Sequence, residues 1–329
     1  MKRILYFGYF IVTTDYSLLV DRLKEVKKSA SLPYRTILCD MIKSSFKYKA
    51  SFGDYFLYEF YKKNDEQRNS YITTGRLYEF YTKMNDKKKR EIFRNKAKFN
   101  ATFGRFIRRE FLFLHDCTVD KFCNWARDKD WIIAKPNEGV AGRGIEKIDV
   151  KNYKNLNELY SYLKDNELDL IEDCIEQHAD MNKMNPSSVN TIRIITVRIQ
   201  ESTDIIGAVL RIGVDSPIDN FSTGGIAAPV DIKNGVVCDH AISKKDSLVY
   251  EYHPRTRCAI KGFQIPYWNQ TLEMIKEASE VIPEVKTVGW DVAITKTGPE
   301  LVEGNDNWNK NVFQLSHGEG KQHLLDRYT

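Results

Sequence analysis

Val288–Asn309 reads VGWDVAITKTGPELVEGNDNWN and holds two β-prone runs, Val288–Thr295 and Glu300–Gly304, separated by Lys296-Thr297-Gly298-Pro299. Gly and Pro between such runs predict a hairpin. Each run carries acidic or amide side chains at its outer end: Asp291 on the first, Glu303 and Asn305 on the second. Strand residues two apart share a face, so Glu303 and Asn305 point the same way. Loop length decides whether Asp291 joins them, because one residue of slip reverses every side chain. A two-residue Thr297-Gly298 loop sets Asp291 opposite Gly304, on the wrong face. An odd Thr297-Gly298-Pro299 loop sets it opposite Asn305, on the shared face. Pro299 has no N–H for a ladder bond and favours the odd loop. The three oxygen-bearing side chains then converge as a hard-cation site, suited to Mg2+ or Mn2+ rather than Zn2+. On this reading Val302 belongs to the core. The plain alternative is an amphipathic hairpin with a wetted polar face.

Outward from the hairpin, 329 residues suffice for one large core or two moderate ones, and 42% hydrophobic with 29% charged residues describe a soluble globular chain. No apolar run approaches the roughly 20 residues that span a bilayer. The opening KRILYFGYFIV lacks a small-residue cleavage site and predicts a buried strand rather than a signal peptide. Six scattered cysteines without a C-x-x-C pair indicate reduced thiols in a cytoplasmic setting, and argue against a disulfide framework and structural zinc.

Tyr16–Ser29 has helical spacing, and an aromatic-rich region follows, in which LYEFYKK (Leu57–Lys63) recurs as LYEFYTK (Leu77–Lys83). Two copies do not make a solenoid; they predict two helices with aromatic faces on one core. From Lys83 to Arg109 eleven Lys or Arg stand against Asp86 and Glu91, so this segment is +9 while the whole chain is +5. Such a segment suits an anionic substrate or a membrane surface, and for most of its residues a solvated helix face suffices. It is short and the remainder is net acidic, which speaks against nucleic acid.

From Cys117 strands and helices alternate. Trp131–Ala134 predicts a strand, followed by Lys135-Pro136 and the loop NEGVAGRGIEKI with Gly139, Gly142 and Gly144. Glycines let backbone N–H groups approach phosphate, and a lysine at a strand end supplies charge. The loop is neither a Walker A sequence nor a dinucleotide fingerprint. Tyr153–Lys164 predicts an amphipathic helix, and Asp169–Ile175, Thr191–Ile199 and Ile205–Val214 predict strands. Thr191–Ile199 alternates β-branched residues with Arg193 and Arg198, and Arg211 sits in the otherwise apolar Ile205–Val214, where burial requires a paired anion. Asn234-Gly235 marks a turn. His253, before Pro254, reads as a turn-stabilising residue.

Taken in order, AKP with its glycine loop, the strand with Glu172, Arg211 with DNFSTGGI, and the Asp291/Glu303/Asn305 hairpin resemble the ATP-grasp superfamily. SVNTIRI, HPRTR and KGFQIPYW bring the sequence nearest to the sugar-transfer-associated ATP-grasp proteins of bacterial surface-polysaccharide biosynthesis. The likeness covers roughly residues 95–309. It implies an α+β ATP-grasp fold, two subdomains gripping ATP, preceded by a mainly helical N-terminal region. The implied division is residues 1–94, 95–170 and 171–329.

The resemblance also implies roles. Lys96 and Lys135 enter the nucleotide cleft, and Gly139, Gly142 and Gly144 line the phosphates. Glu172 accepts from the adenine amino group, with Asp173, Cys174 and Ile175 along the ring edge and Glu176 or His178 near the ribose. Asp291, Glu303 and Asn305 hold one or two Mg2+. Arg211, with Asn220 and Arg193, faces the transferring phosphoryl group. The implied reaction is an ATP-dependent carboxylate–amine ligation through an acyl phosphate, acting on a saccharide or its precursor. One competing reading makes the chain a kinase with a sugar hydroxyl as acceptor. Another makes it a non-catalytic adaptor that docks glycosyltransferases or anionic lipid carriers through the +9 segment. The expected location is the cytoplasm, at the inner face of the membrane.

Overall fold

A computed structural model describes residues 2–137, 144–214, 219, 221, 224–244, 248–317 and 319–329. Two compact units emerge, Met1–Met84 with Asn309–Thr329, and Asn85–Trp308.

The first unit is helical. Helices Lys2–Thr13, Tyr16–Ala30, Tyr34–Tyr48, Phe52–Leu57, Asp65–Asn69 and Thr74–Met84 are joined by Lys310–His317 and Gln322–Asp326 from the far end of the chain. Asp15 caps the second helix, accepting from the Ser17 and Leu18 amides, and Ser51 with Asp54 forms a capping box on the fourth. Tyr48, Phe52, Tyr55, Tyr58, Phe60 and Tyr71 fill the core. Gln314 clamps Ile72, accepting from its N–H (2.7 Å) and donating to its carbonyl (2.9 Å).

Two sequence expectations fail here. The opening run is a helix, not a strand; Phe7 and Phe10, three residues apart, are the positions that turn inward. A short apolar run fits either period, and packing chooses. The repeated heptapeptide also splits. Leu77–Lys83 is helical throughout, whereas in the first copy Glu59 takes a left-handed conformation (φ 50°) and a single 3-10 turn, Phe60–Lys62, follows. That break turns Phe60 into the core.

The second unit contains two antiparallel sheets. Strands β1 (Phe111–Phe113), β2 (Trp131–Lys135), β3 (Glu146–Asp149) and β4 (Leu170–Asp173) form the first, in the order β1-β4-β2-β3. Phe122 and Ala126 of one helix and Leu159 and Leu163 of another pack on Ile132, Ala134 and Ile171. Strands β5 (Thr191–Ile199), β6 (Ser202–Ile212), β7 (Ile226–Val230), β8 (Ala241–Ser243), β9 (Val249–Tyr250), β10 (Thr287–Thr295) and β11 (Gly298–Asn305) form the second, in the order β11-β10-β5-β6-β7-β8-β9. Its core side joins Ile192, Ile194, Leu210, Trp290, Val292 and Leu301 to helices Lys96–Phe103 and Trp268–Glu280.

The hairpin forms, by a different route. Its loop is Lys296-Thr297, with Thr295 opposite Gly298 and Pro299 inside the strand opposite Ile294. Because β11 is the sheet's edge, the missing proline N–H is tolerated. Parity is corrected further along. Val292 pairs with Leu301 but Asp291 pairs with Glu303, so Val302 is the extra residue of a bulge. Leu301 is consequently the buried residue and Val302 only half-buried, the reverse of the expectation for Val302.

Candidate active site

Register builds a polar row on the face of the second sheet opposite its apolar core. Glu303 on β11 pairs with Asp291 on β10, which pairs with Arg193 on β5. Asp291 is nearly enclosed. Arg193 donates to both its carboxylate oxygens through Nε and Nη2 (3.0 Å for the latter), and Arg211 on β6 adds a third bond at 2.7 Å. The other Nη of Arg211 reaches Asp219 at 2.9 Å, and Asp219 also accepts from the Thr191 amide and hydroxyl. Asn305 donates from Nδ2 to Glu303 (3.2 Å) and to the Gly289 carbonyl (3.3 Å).

Burial alone would push Asp291 up, but the Arg193 and Arg211 guanidiniums outweigh it and hold the carboxyl well below the usual range. Glu303 moves the other way. Crowding by surrounding protein and then the Asp291 charge raise it, although its side chain still meets solvent. Burial likewise raises Asp219, with Arg211 opposing. Fully ionised, the two arginines and three carboxylates sum to −1, too little to hold a divalent ion unaided.

Among the described residues no group of three or more His, Cys, Asp or Glu is placed to hold a metal. Asp291, Glu303 and Asn305 nevertheless fit a hard cation as a partial shell. They offer only oxygen ligands from one face, and a cation between the opposed carboxyls would relieve the repulsion that raises Glu303. Phosphate and water would supply the remaining ligands.

The lysines converge on the first sheet. Lys135, at the end of β2, pairs with the buried Glu172 on β4. Glu172 also accepts from Arg109 (3.0 Å) and from Asn100 (3.1 Å). Burial opposes its charge, but Lys135 and Arg109 prevail and hold the carboxyl far below its ordinary value. Lys96 donates to the Pro136 carbonyl at 2.9 Å, just past Lys135, while the Asn137 side chain accepts from the Ala97 amide. Lys96 therefore reaches the strand end that carries Lys135. Gly144 has φ +73°, and a Cβ there would lie 3.1 Å from the Pro136 ring, so any other residue would be strained.

Arg109 joins the two sheets. Besides Glu172 it reaches Glu300 of β11 (3.4 Å) and the Leu301 carbonyl (2.9 Å), with its side chain only 3% exposed. Glu300 accepts in turn from the Arg108 and Arg109 amides. Arg109, Asn100, Asp219 and Glu300 were not anticipated. Arg109 stood among charges assigned to a solvated face, yet it lies two residues before β1, where a side chain can be carried inside.

Other anticipated residues lie apart. Asp173 faces the opposite way from Glu172 and pairs with Lys129 at 2.6 Å. Cys174 and Ile175 are half-buried after β4. Glu176 is exposed and paired with Lys296 in the hairpin loop. His178 caps the helix Ala179–Met184, and its amide donates to the Ile294 carbonyl. Along the strand, Ile294 is about 10 Å from Asp291. Gly139, Gly142 and Asn220 lie outside the described residues. His253 is fully buried, its Nε2 bonded to the Gly213 carbonyl and its Nδ1 accepting from the Thr256 amide, as its turn role requires.

No curated protein matches the chain. Among solved structures, the ATP-grasp ligase PsnB complexed with minimal precursor is similar at 12% identity and TM-score 0.46, covering 74% of this chain and 62% of that one. An L-amino acid ligase from Bacillus licheniformis (12% identity, TM-score 0.42) is covered over 72% of this chain and 48% of its own. For D-alanyl-alanine synthetase A from Vibrio cholerae the figures are 12%, 0.41, 71% and 61%. This chain thus spans under two thirds of the length of each of these three relatives. A family model described as sugar-transfer associated ATP-grasp matches residues 66–329, four fifths of the sequence, and the chain belongs to that family.

Proposed function

We propose that the protein is an ATP- and Mg2+-dependent carboxylate–amine ligase working through an acyl phosphate, with a surface saccharide or its precursor as the molecule modified. The observation that carries this reading is the row Glu303–Asp291–Arg193 with Arg211 beside it: oxygen ligands and guanidiniums on one face, where charge shifts during phosphoryl transfer. A substrate carboxylate attacks the γ-phosphorus of ATP, giving an acyl phosphate and ADP; an amine then displaces phosphate to form the amide.

In this proposal Lys96, Lys135 and the glycine loop position the phosphates. Glu172 to His178 border the base and ribose, although Asp173 is turned away. Asp291, Glu303 and Asn305 would hold one or two Mg2+, which would supply positive charge to offset that of the phosphates. Arg211, with Arg193 and Asn220, faces the transferring group. Residues 95–170 and 171–329 are taken as the gripping subdomains, and a cytoplasmic station near the inner face of the membrane belongs to the same reading. Incubation with ATP, Mg2+ and panels of amines, carboxylates and saccharides, followed by mass spectrometry, tests it. An amide product with ADP supports ligation; a phosphate ester would make the protein a kinase.

A further inference from the structure

The helix Lys2–Thr13, KRILYFGYFIVT, carries no charge after Arg3. Helices apolar around their whole circumference are normally enclosed on all sides. Here one side is covered. Phe10 is buried, and Phe7 packs on Phe46 (4.8 Å) and Phe52 (6.0 Å). At about 100° per residue, Leu5, Gly8, Tyr9 and Val12 occupy the opposite half, with Ile4 and Ile11 flanking it. All six are exposed, Val12 to 84%, and a Cβ on Gly8 would meet nothing within 4 Å. Tyr16, Leu18 and Val20 extend the exposed apolar set into the next helix.

The same stretch of chain is net basic. Residues 1–49 hold ten Lys or Arg against four Asp or Glu, a local +6 in a chain of +5. Arg3, Lys27 and Lys28 are exposed, as is Lys24, which pairs with Asp21 at 3.1 Å. A second copy docked here would set like charges together, whereas an anionic headgroup layer over hydrocarbon complements both the apolar and the basic residues. Twelve residues span about 18 Å, short of the roughly 30 Å hydrocarbon layer. No helix among the described residues is long and apolar enough to cross a membrane. The helix can therefore lie in the interface without spanning it.

We propose that the helix Lys2–Thr13 seats this protein on the surface of an anionic lipid bilayer, with Ile4, Leu5, Tyr9 and Val12 entering the headgroup–acyl boundary and the neighbouring basic residues meeting lipid phosphates. This inference does not depend on the reaction proposed above. Flotation of the full chain with vesicles of phosphatidylglycerol and phosphatidylcholine (1:1), and of phosphatidylcholine alone, tests it. Binding to the anionic vesicles is expected to be at least tenfold tighter and weakened by 0.5 M NaCl. Leu5→Glu with Val12→Glu should lose at least tenfold, with circular dichroism unchanged because both sites are exposed. Lys27→Glu with Lys28→Glu, which leaves the apolar face intact, should lose the anionic preference. Failure of the wild type to float, or undiminished flotation of both double variants, would overturn the proposal. So would a wild-type dimer that binds no vesicles and that Leu5→Glu with Val12→Glu makes monomeric, since the face would then serve self-association.

Discussion

Asp291 on β10 and Glu303 on β11 stand directly opposite one another because Val302 is bulged out of the ladder between them. Without that bulge Asp291 would face Val302, and the two carboxyls would point to opposite sides of the sheet. The pairing also separates their chemistry. Asp291 is held ionised by two arginines, while Glu303 keeps its proton more tightly.

Glu303→Gln is expected to lower Mg2+-dependent ATP turnover by about 10²–10³-fold, because a metal-facing carboxylate matters most as charge shifts between phosphates. The melting temperature and much of the ATP affinity should survive. Unfolding of this variant would show that Glu303 is structural.

Lys135→Ala should weaken ATP binding by about tenfold or more, the scale of a lost charged hydrogen bond of roughly 1.5–3 kcal/mol. The fold should persist, since Arg109 and Asn100 still satisfy Glu172. Calorimetry returning wild-type affinity would remove Lys135 from the nucleotide site.

Arg109→Met is expected to destabilise the protein by about 3–5 kcal/mol, because Glu172 and Glu300 are both buried and lose their shared counter-charge. Adding Glu172→Gln should recover part of this. Urea unfolding measures both, and a single-variant change below about 0.5 kcal/mol would contradict the bridge.

Leu301→Ala should cost about 2–5 kcal/mol, while Val302→Ala at the half-buried bulge should cost under about 1 kcal/mol. The reverse ranking would place the bulge elsewhere.

Acidification should destabilise the protein below about pH 4. Glu172 and Asp291 have depressed values in the folded state, so their stabilisation is complete above the unfolded carboxylate range and is lost as pH falls through the folded values. Glu303, shifted upward, contributes with the opposite sign. Thermal melts across pH 2–7 should show the acid loss retained in Glu303→Gln and reduced in Asp291→Asn. Mn2+ affinity, by contrast, should rise with pH as Glu303 loses its proton.

Much of this was readable in one dimension. Alternation identified β5, and apolar runs identified β6 and the hairpin, whose loop was expected at Thr297-Gly298-Pro299 and falls instead at Lys296-Thr297. Arg211 in an apolar strand announced that an anion must meet it, and Asp219 and Asp291 do. Those features depend on chemistry carried by neighbouring residues, so sequence alone determines them. Tertiary structure decided the rest. Two nearly identical heptapeptides adopt different conformations, and an opening run that fits either period becomes a helix because Phe7 and Phe10 find partners at helical spacing. The bulge at Val302 is likewise a packing decision. A Cβ at Gly304 would come within 2.8 Å of Phe93 and 3.0 Å of Phe99, so the strand beyond Leu301 takes the register in which a residue without a side chain meets those rings. Arg109 could not be recognised from its charge, because whether an arginine meets water or two buried glutamates depends on strands 60 and 190 residues away in sequence, brought together only by the fold.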